Sequence, residues 1–322
     1  MSHTPVEVPA PLVGATASDA AVTHPGLPDL PCHLNGRWLP LNQAQVSVLD
    51  RGYTFGDGVY EVVPVYGQRL FRFDEHMTRL ERSLQAVRIA NPHDRAGWLA
   101  LMRELVQRVA AHSPCDEQML YLQISRGVAL RAHPMLPGLT PTVFMMSQPH
   151  TPPPVELRHR GLTCITAPDF RWSRGDIKST SLLGNVMARQ LAVDQEADET
   201  ILLRDTPQGR IVSEGASSNV WIVREGALIG VPPSGHTLEG VRIELLRELC
   251  DDAGIASHLR AISEAELTSA DEIILSSAGR ELLPVTRLDG ETVGHGTGRG
   301  KPGPVYARLH QAYERAKREQ SS

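Results

Sequence analysis

The chain has 322 residues, of which 41% are hydrophobic and 21% charged, with a formal net charge of -5. That balance is typical of a globular protein long enough for about two domains; its dispersed basic residues give no footprint for nucleic acid, and no run is apolar enough to span a membrane. Cys32, Cys115, Cys164 and Cys250 are far apart and form no CxxC pair, which argues against a metal site or a disulfide framework and for a reducing cytoplasm.

Residues 1–31 are rich in Pro, Ala, Val and Thr and contain no Lys or Arg, so they read as a disordered extension; a signal or transit peptide would carry a basic start. From Cys32 onward the chain is expected to be ordered, and Asn35-Gly36 between apolar-containing flanks signals a hairpin. Between 46 and 63 two strand-like runs flank Gly52, Gly56 and Gly58, so the backbone there turns tightly or lets something approach closely. A strand over 59–65, a turn at Tyr66-Gly67 and a strand over 69–73 lead into a helix from Asp74, on which Met77, Leu80, Leu84 and Val87 share a face. Arg79 lies beside that stripe, either snorkelling to solvent or aimed at an anion. A helix over 98–111 and a strand over 119–125 precede a loop that carries Arg131 and His133 between Gly127 and Pro134. Such a pair either clamps a carboxylate by charge-assisted hydrogen bonds or is simply exposed. A strand over 142–148 closes a small first domain, 32–148. A proline-rich linker, 149–158, leads to a larger second domain, 159–318.

Only three lysines occur, Lys178, Lys301 and Lys317. A bias toward arginine explains their scarcity, yet Lys178 stands mid-chain between Asp176 and a run of hydroxyl residues. Lysine, unlike arginine, shifts its pKa on burial and forms Schiff bases; the plain alternative is a solvated loop lysine. A strand over 162–166 precedes it, a helix over 185–196 follows, and 200–204 and 210–223 read as strands. Glu214 interrupts an apolar strand, and Gly215 to Ser218 let the backbone come close to a bound group; a carboxylate so placed is costly without a buried cation opposite it. Leu238 and Gly240 lead into a helix whose first amides, at Val241 and Arg242, are free to bind an anion. A strand from 271 ends in a small-residue turn at Ser277 and Ala278, a second possible phosphate cradle. The glycine-rich 294–304 lacks both a preceding buried strand and the Gly-Lys-Ser/Thr order of a phosphate loop. A helix over 305–317 ends the chain.

A lysine, an in-strand glutamate, an off-stripe arginine and two amide-rich turns are together the parts that hold pyridoxal 5'-phosphate. The lysine takes its carbonyl carbon, the glutamate keeps the pyridine nitrogen protonated, and the arginine and helix N-terminus take the phosphate.

The blocks DRGYTFGDGVYEVV (50–63), EHMTRL (75–80), SRGVALRAHP (125–134), DIKSTSLLGN (176–185) and VSEGASSNV (212–220) also resemble the fold-type IV pyridoxal-phosphate aminotransferases, and within them the D-amino-acid aminotransferases. The resemblance runs from about Leu34 to Arg315. The lysine and glutamate blocks are shared with branched-chain aminotransferases and aminodeoxychorismate lyase; the Arg-x-His loop together with GDGVYE is the more specific. It implies an α+β, two-domain subunit with the cofactor at the domain interface. Lys178 is the implied catalytic residue, with Arg79, Glu214, Ser217, Ser218, Leu238, Val241, Arg242, Ser277 and Ala278 around the cofactor. Tyr60, Arg131 and His133 would trap the substrate carboxylate, the last two from a loop that reaches the neighbouring subunit of a homodimer.

The implied reaction is a ping-pong transamination between a D-amino acid of the D-alanine type and a 2-oxo acid such as 2-oxoglutarate or pyruvate. A branched-chain L-amino-acid or (R)-amine aminotransferase is the alternative within the fold, followed by the lyase or a non-catalytic cofactor-binding protein. Two departures concern the phosphate. Where the family reads Ile or Val, Thr, Arg after the glycine, this chain has Val241, Arg242 and Ile243, and Ala278 stands where the D-amino-acid enzymes have threonine. Two hydroxyls are thereby lost, which leaves more of the binding to the amides of Val241, Arg242 and Ala278. Gly175, three residues before the lysine, replaces a larger residue and is expected to alter loop stiffness.

Overall fold

The computed structural model describes residues 26–321, so most of the extension expected over 1–31 lies outside the described residues. Strands β1 (Pro31–Leu34) and β2 (Arg37–Pro40) form the hairpin, with Asn35 and Gly36 at φ 49° and 80°, the turn handedness that matches strand twist. The apolar run before Arg51 is not a strand. Val46 and Val48 are exposed, and the Asp50 carboxylate accepts the Gly52 amide at 2.7 Å to open a short helix, α1 (Arg51–Phe55). β3 (Gly58–Tyr66) turns back into β4 (Arg69–Leu70). The strand expected over 69–73 stops early because Arg72, at φ 54°, leaves the extended region and opens α2 (Phe73–Ala86).

Met77, Leu80 and Leu84 of α2 are buried against Trp98, Met102 and Leu105 of α3 (Arg95–His112). Each such side chain contributes roughly 1.5–3 kcal/mol. Beneath them Leu120, Leu122 and Ile124 alternate with half-buried residues along β5 (Glu117–Ser125), the two-residue period of a sheet with one covered face. With β6 (Thr142–Pro149) these strands make a six-stranded antiparallel sheet, ordered β2-β1-β6-β5-β3-β4.

The second sheet begins beyond the proline run. Residues 155–158, expected to be linker, are already helical in α4 (Val155–Arg160). Then follow β7 (Leu162–Pro168), α5 (Leu183–Asp194), β8 (Glu199–Thr206), β9 (Gly209–Gly215), β10 (Asn219–Arg224) and β11 (Ala227–Gly230). The chain continues through α6 (Val241–Ala253), β12 (Ser257–Leu259), α7 (Glu264–Thr268), β13 (Glu272–Ser277), β14 (Glu281–Leu288), β15 (Glu291–Thr292) and α8 (Pro304–Glu319). The order is β12-β11-β10-β13-β14-β7-β8-β9, with β15 on β14. β7 lies parallel to both β14 and β8, and residues 199–203 of β8 are buried without interruption, as a strand covered on both faces requires.

Helices α6 and α8 pack over this sheet on Trp221, Ile274 and Leu282, and Tyr66 and Phe71 from the first sheet enter the same cluster. The two sheets are thereby joined through a shared core. Glu281 is wholly buried there and accepts hydrogen bonds from Lys317 Nζ at 2.8 Å and Arg158 Nη2 at 2.5 Å. Removing one member of a buried ionic group strands the others. Glu281→Ala should therefore cost about 3–5 kcal/mol, read as a lower urea midpoint; an unchanged midpoint would show that the two cations find other partners.

Candidate active site

The loop before α5 is fastened to the first sheet. The Tyr60 amide donates to the Lys178 carbonyl at 3.0 Å, the Thr180 amide donates to the Gly58 carbonyl at 3.0 Å, and Val59 bridges Ser179. β3 offers this edge because β4 pairs only with its last residues, Val65 and Tyr66. On the other side the Gly175 amide donates to the Gly235 carbonyl at 2.9 Å, and a Cβ at position 175 would stand 2.7 Å from the His236 carbonyl oxygen. The small residue is thus a condition of the loop's packing.

So held, the Lys178 amine lies 4.1 Å from the centre of the Tyr60 ring, and among the described residues no carboxylate pairs with it. Lys317, by contrast, is buried against Glu281, and Lys301 is exposed. Lys178 and Tyr60 line a cavity of about 450 Å³ together with Arg79, Glu214, Ser217, Ser218, Leu238, Val241, Arg242, Ser277 and Ala278. Every position expected around a cofactor therefore opens onto one space.

Glu214, at the end of β9, receives the Arg171 guanidinium and the Leu238 amide, the latter at 3.0 Å. Burial raises its carboxyl above the ordinary value, and Arg171 and the amide oppose that rise. Arg171 is itself held by both oxygens of Asp169 at 2.9 Å. The buried cation that Glu214 calls for is thus Arg171, from the same loop that carries Lys178.

Arg79 is buried rather than snorkelling. Its Nε and Nη2 donate to Glu61 at 2.8 and 2.7 Å, and its Nη1 reaches the Glu239 carbonyl at 3.3 Å, just before α6. Glu61 also pairs with His76 Nδ1 at 2.8 Å. Burial pushes the His76 imidazole down to about 4, so it is neutral near pH 7 and donates from Nδ1. Burial would raise Glu61, but Arg79 and His76 hold it well below the carboxylate range. Neither Glu61 nor His76 was expected at the site. Their signals were a charge inside the apolar strand, as for Glu214, and a histidine one helical turn before Arg79.

Helix α6 opens at Gly240 with no capping side chain, so the amides of Val241 and Arg242 have no acceptor. A Cβ at Gly240 would stand 2.1 Å from Asn219 Oδ1, so the glycine lets that side chain lie against the start of the helix. Residues that line the same cavity carry buried polar atoms without partners: the donors Ser218 Oγ and Nε and Nη2 of Arg242, and His76 Nε2, an acceptor while Nδ1 holds the proton. Unsatisfied donors at one end, a carboxylate and an unpaired amine elsewhere, fit an anionic, heteroaromatic ligand.

Arg131 and His133 stand apart. Both are exposed and outside the cavity lining, over Phe55, with the Arg131 guanidinium 5.3 Å and the His133 ring 5.5 Å from its centre. Arg51, paired with Asp57, fixes their loop by donating to the Ala132 carbonyl at 2.5 Å. Within one subunit the structure does not bring them to Lys178 and Tyr60.

Fold and cavity together bring a lysine amine, a buried carboxylate and free helix-start amides to one space. The chain belongs to the class IV amino-transferases: the family model, "Amino-transferase class IV", matches residues 58–288. It is 38% identical over 280 residues to a D-alanine aminotransferase of Bacillus licheniformis, covering 87% of this chain and 94% of that protein. A D-alanine aminotransferase of Staphylococcus haemolyticus is 35% identical, over 88% and 96%. Among solved structures, the branched-chain amino acid aminotransferase of Escherichia coli superposes with a TM-score of 0.79 at 24% identity, covering 89% of this chain and 94% of that one. The branched-chain aminotransferase of the thermophilic archaeon Thermoproteus uzoniensis, solved with norvaline, gives 0.78 at 24% identity, covering 90% and 96%. At that identity the likeness is one of fold.

As pH falls, an imidazole in the unfolded chain takes its proton near 6.5, whereas His76 in the fold resists until about 4. The unfolded state binds the proton first, so this contribution to stability is complete above about 6.5 and is lost as pH falls toward 4. Glu61, depressed in the fold, adds loss in the same direction below its unfolded value near 4.3. The urea midpoint should fall between pH 7.5 and 5, and fall less in His76→Gln; an identical fall would clear the imidazole of that role.

Proposed function

We propose that this protein is a D-amino-acid transaminase that uses pyridoxal 5'-phosphate and moves an amino group between a D-amino acid of the D-alanine type and a 2-oxo acid such as 2-oxoglutarate or pyruvate. The observation that carries the reading is the Lys178 amine, without a carboxylate partner, in a cavity with anion donors at one end and a buried carboxylate in its wall. The substrate class comes from the D-alanine aminotransferases that the chain matches over nearly nine-tenths of its length.

When bound, pyridoxal 5'-phosphate supplies a carbonyl carbon for amine exchange and a ring that withdraws electrons from it. Lys178 would hold the group through that carbon and, as a free amine, would carry the substrate's α proton. Glu214, backed by Arg171, keeps a proton on the ring nitrogen. Arg79 and the amides of Val241, Arg242 and Ala278 hold the phosphate, and Leu238, Ser217, Ser218 and Ser277 shape the remaining wall. We take residues 32–148 and 159–318 as two domains with this site between them.

We further place Tyr60, Arg131 and His133 on the substrate carboxylate, the last two from the partner subunit of a homodimer. Their exposed loop, fastened by Arg51 at the Ala132 carbonyl, and the exposed Val128, Leu130 and Met135 around it support that reading. The four cysteines are free, which supports a reducing, cytoplasmic setting.

D-Alanine should change the visible absorption of the cofactor-loaded protein while L-leucine does not; the reverse would keep the fold and overturn the substrate. Lys178→Ala should lower turnover more than about a thousandfold. Arg131→Ala should raise KM for D-alanine far more than it weakens cofactor binding. If the loop acts across the dimer, mixing Lys178→Ala with Arg131→Ala subunits should restore sites with low KM, because one site per hybrid regains both groups. No restoration would place the loop's action within its own subunit.

A further inference from the structure

Among the described residues six arginines are buried, and five have an anion: Arg51 and Arg126 share Asp57, Arg72 takes Glu248, Arg79 takes Glu61 and Arg158 takes Glu281. The sixth, Arg242, is 3% exposed and has none. Its Nε and Nη2 are buried without any hydrogen-bond partner. Its guanidinium instead meets two ring faces, 5.0 Å from the centre of Phe71 and 5.5 Å from that of Tyr313. A ring face stabilises a cation but satisfies few of its N–H donors. A buried charge with unused donors is costly unless an anion completes it.

The place where that anion would come is defined. Arg242 is the second residue of α6 and lines the cavity with Arg79 and His76, and its own amide and that of Val241 are unbonded there. His76 is neutral and cannot serve as the anion. Arg79, the other cation, has Nε and Nη2 committed to Glu61 and Nη1 on the Glu239 carbonyl. Arg242 is the less committed of the two, and Ala278 at the second turn has no hydroxyl to offer.

We propose that the Arg242 side chain is a second guanidinium ligand of a phosphate monoester bound at the start of α6, donating from Nε and Nη2 in the fork that suits phosphate oxygens. The proposal rests on the cofactor reading above, the monoester being pyridoxal 5'-phosphate. It assigns to one side chain the anchoring that hydroxyl groups at positions 242 and 278 would otherwise share. Phe71 and Tyr313 then act as a platform that orients the fork.

The test compares two probes on apoprotein. Pyridoxal 5'-phosphate and pyridoxal are titrated into the wild type, Arg242→Gln and Arg242→Lys, with binding read by fluorescence and folding by the melting temperature of the apo form. Loss of the fork should weaken pyridoxal 5'-phosphate about 10- to 100-fold in Arg242→Gln and change pyridoxal affinity little. Inorganic phosphate should raise the melting temperature of the wild-type apoprotein and not that of the variant. Should Arg242→Gln fail to fold, Arg242→Lys keeps the charge over the rings but loses the fork, and about a 10-fold selective loss is expected there. Equal weakening of both probes, or none, overturns the proposal and leaves Arg242 a structural cation on its rings. A wild type that takes up neither probe defeats the cofactor reading itself and the proposal with it; uptake by the wild type with unchanged affinity in the variants strikes Arg242 alone.

Discussion

The backbone pairing of the lysine loop with β3 is the constraint on which the site depends. Tyr60 and Lys178 are 118 positions apart in the chain, yet one main-chain hydrogen bond of 3.0 Å sets the amine beside the phenol ring. A loop lysine has several rotatable bonds and would otherwise sample much of the solvent. Three neighbouring backbone contacts, at Gly58, Val59 and Tyr60, remove most of that freedom before any ligand arrives. The open edge of β3 exists only because β4 is two residues long, so the shortness of one strand is what admits the loop.

Charge is arranged around that loop by pairing buried acids with buried bases. Glu61 gathers Arg79 and His76 at one end of the cavity, and Glu214 gathers Arg171 at another. The two carboxylates respond differently to burial: Glu61, with bonds from Arg79 to both its oxygens, is held down, while Glu214, with one arginine and one amide, is pushed up. A hydrogen bond to the charged form and the loss of water act in opposite directions, and the number and geometry of the donors decide which prevails. Between them Lys178 is left, among the described residues, without a counter-ion, which distinguishes it from Lys317, whose amine is buried but tied to Glu281.

Much of this was legible in the residues. The one-face spacing of Met77, Leu80 and Leu84, the Asn35-Gly36 turn and the in-strand Glu214 are local patterns, and local patterns survive folding because neighbouring residues determine them. Misreadings occurred where local preference was overridden. The valines at 46 and 48 favour a strand but have no partner edge, and Arg72 takes a left-handed conformation because Glu248 and Gln320, from distant helical segments, hold its guanidinium. Arg171 was unremarkable in sequence, since what makes it functional is a carboxylate 43 residues later.

The amino-acid sequence by itself determined the inventory: a lone mid-chain lysine, a glutamate in an apolar strand, glycines where backbones must approach, and the blocks that mark the family. These are properties of residue type and short spacing, written directly in the chain. Only the tertiary structure decided which of them meet. It brought Lys178, Glu214 and the start of α6 to one cavity, left Arg131 and His133 outside it, and buried Arg242 without an anion, because contact between distant residues depends on sheet order and shared packing rather than on any local preference.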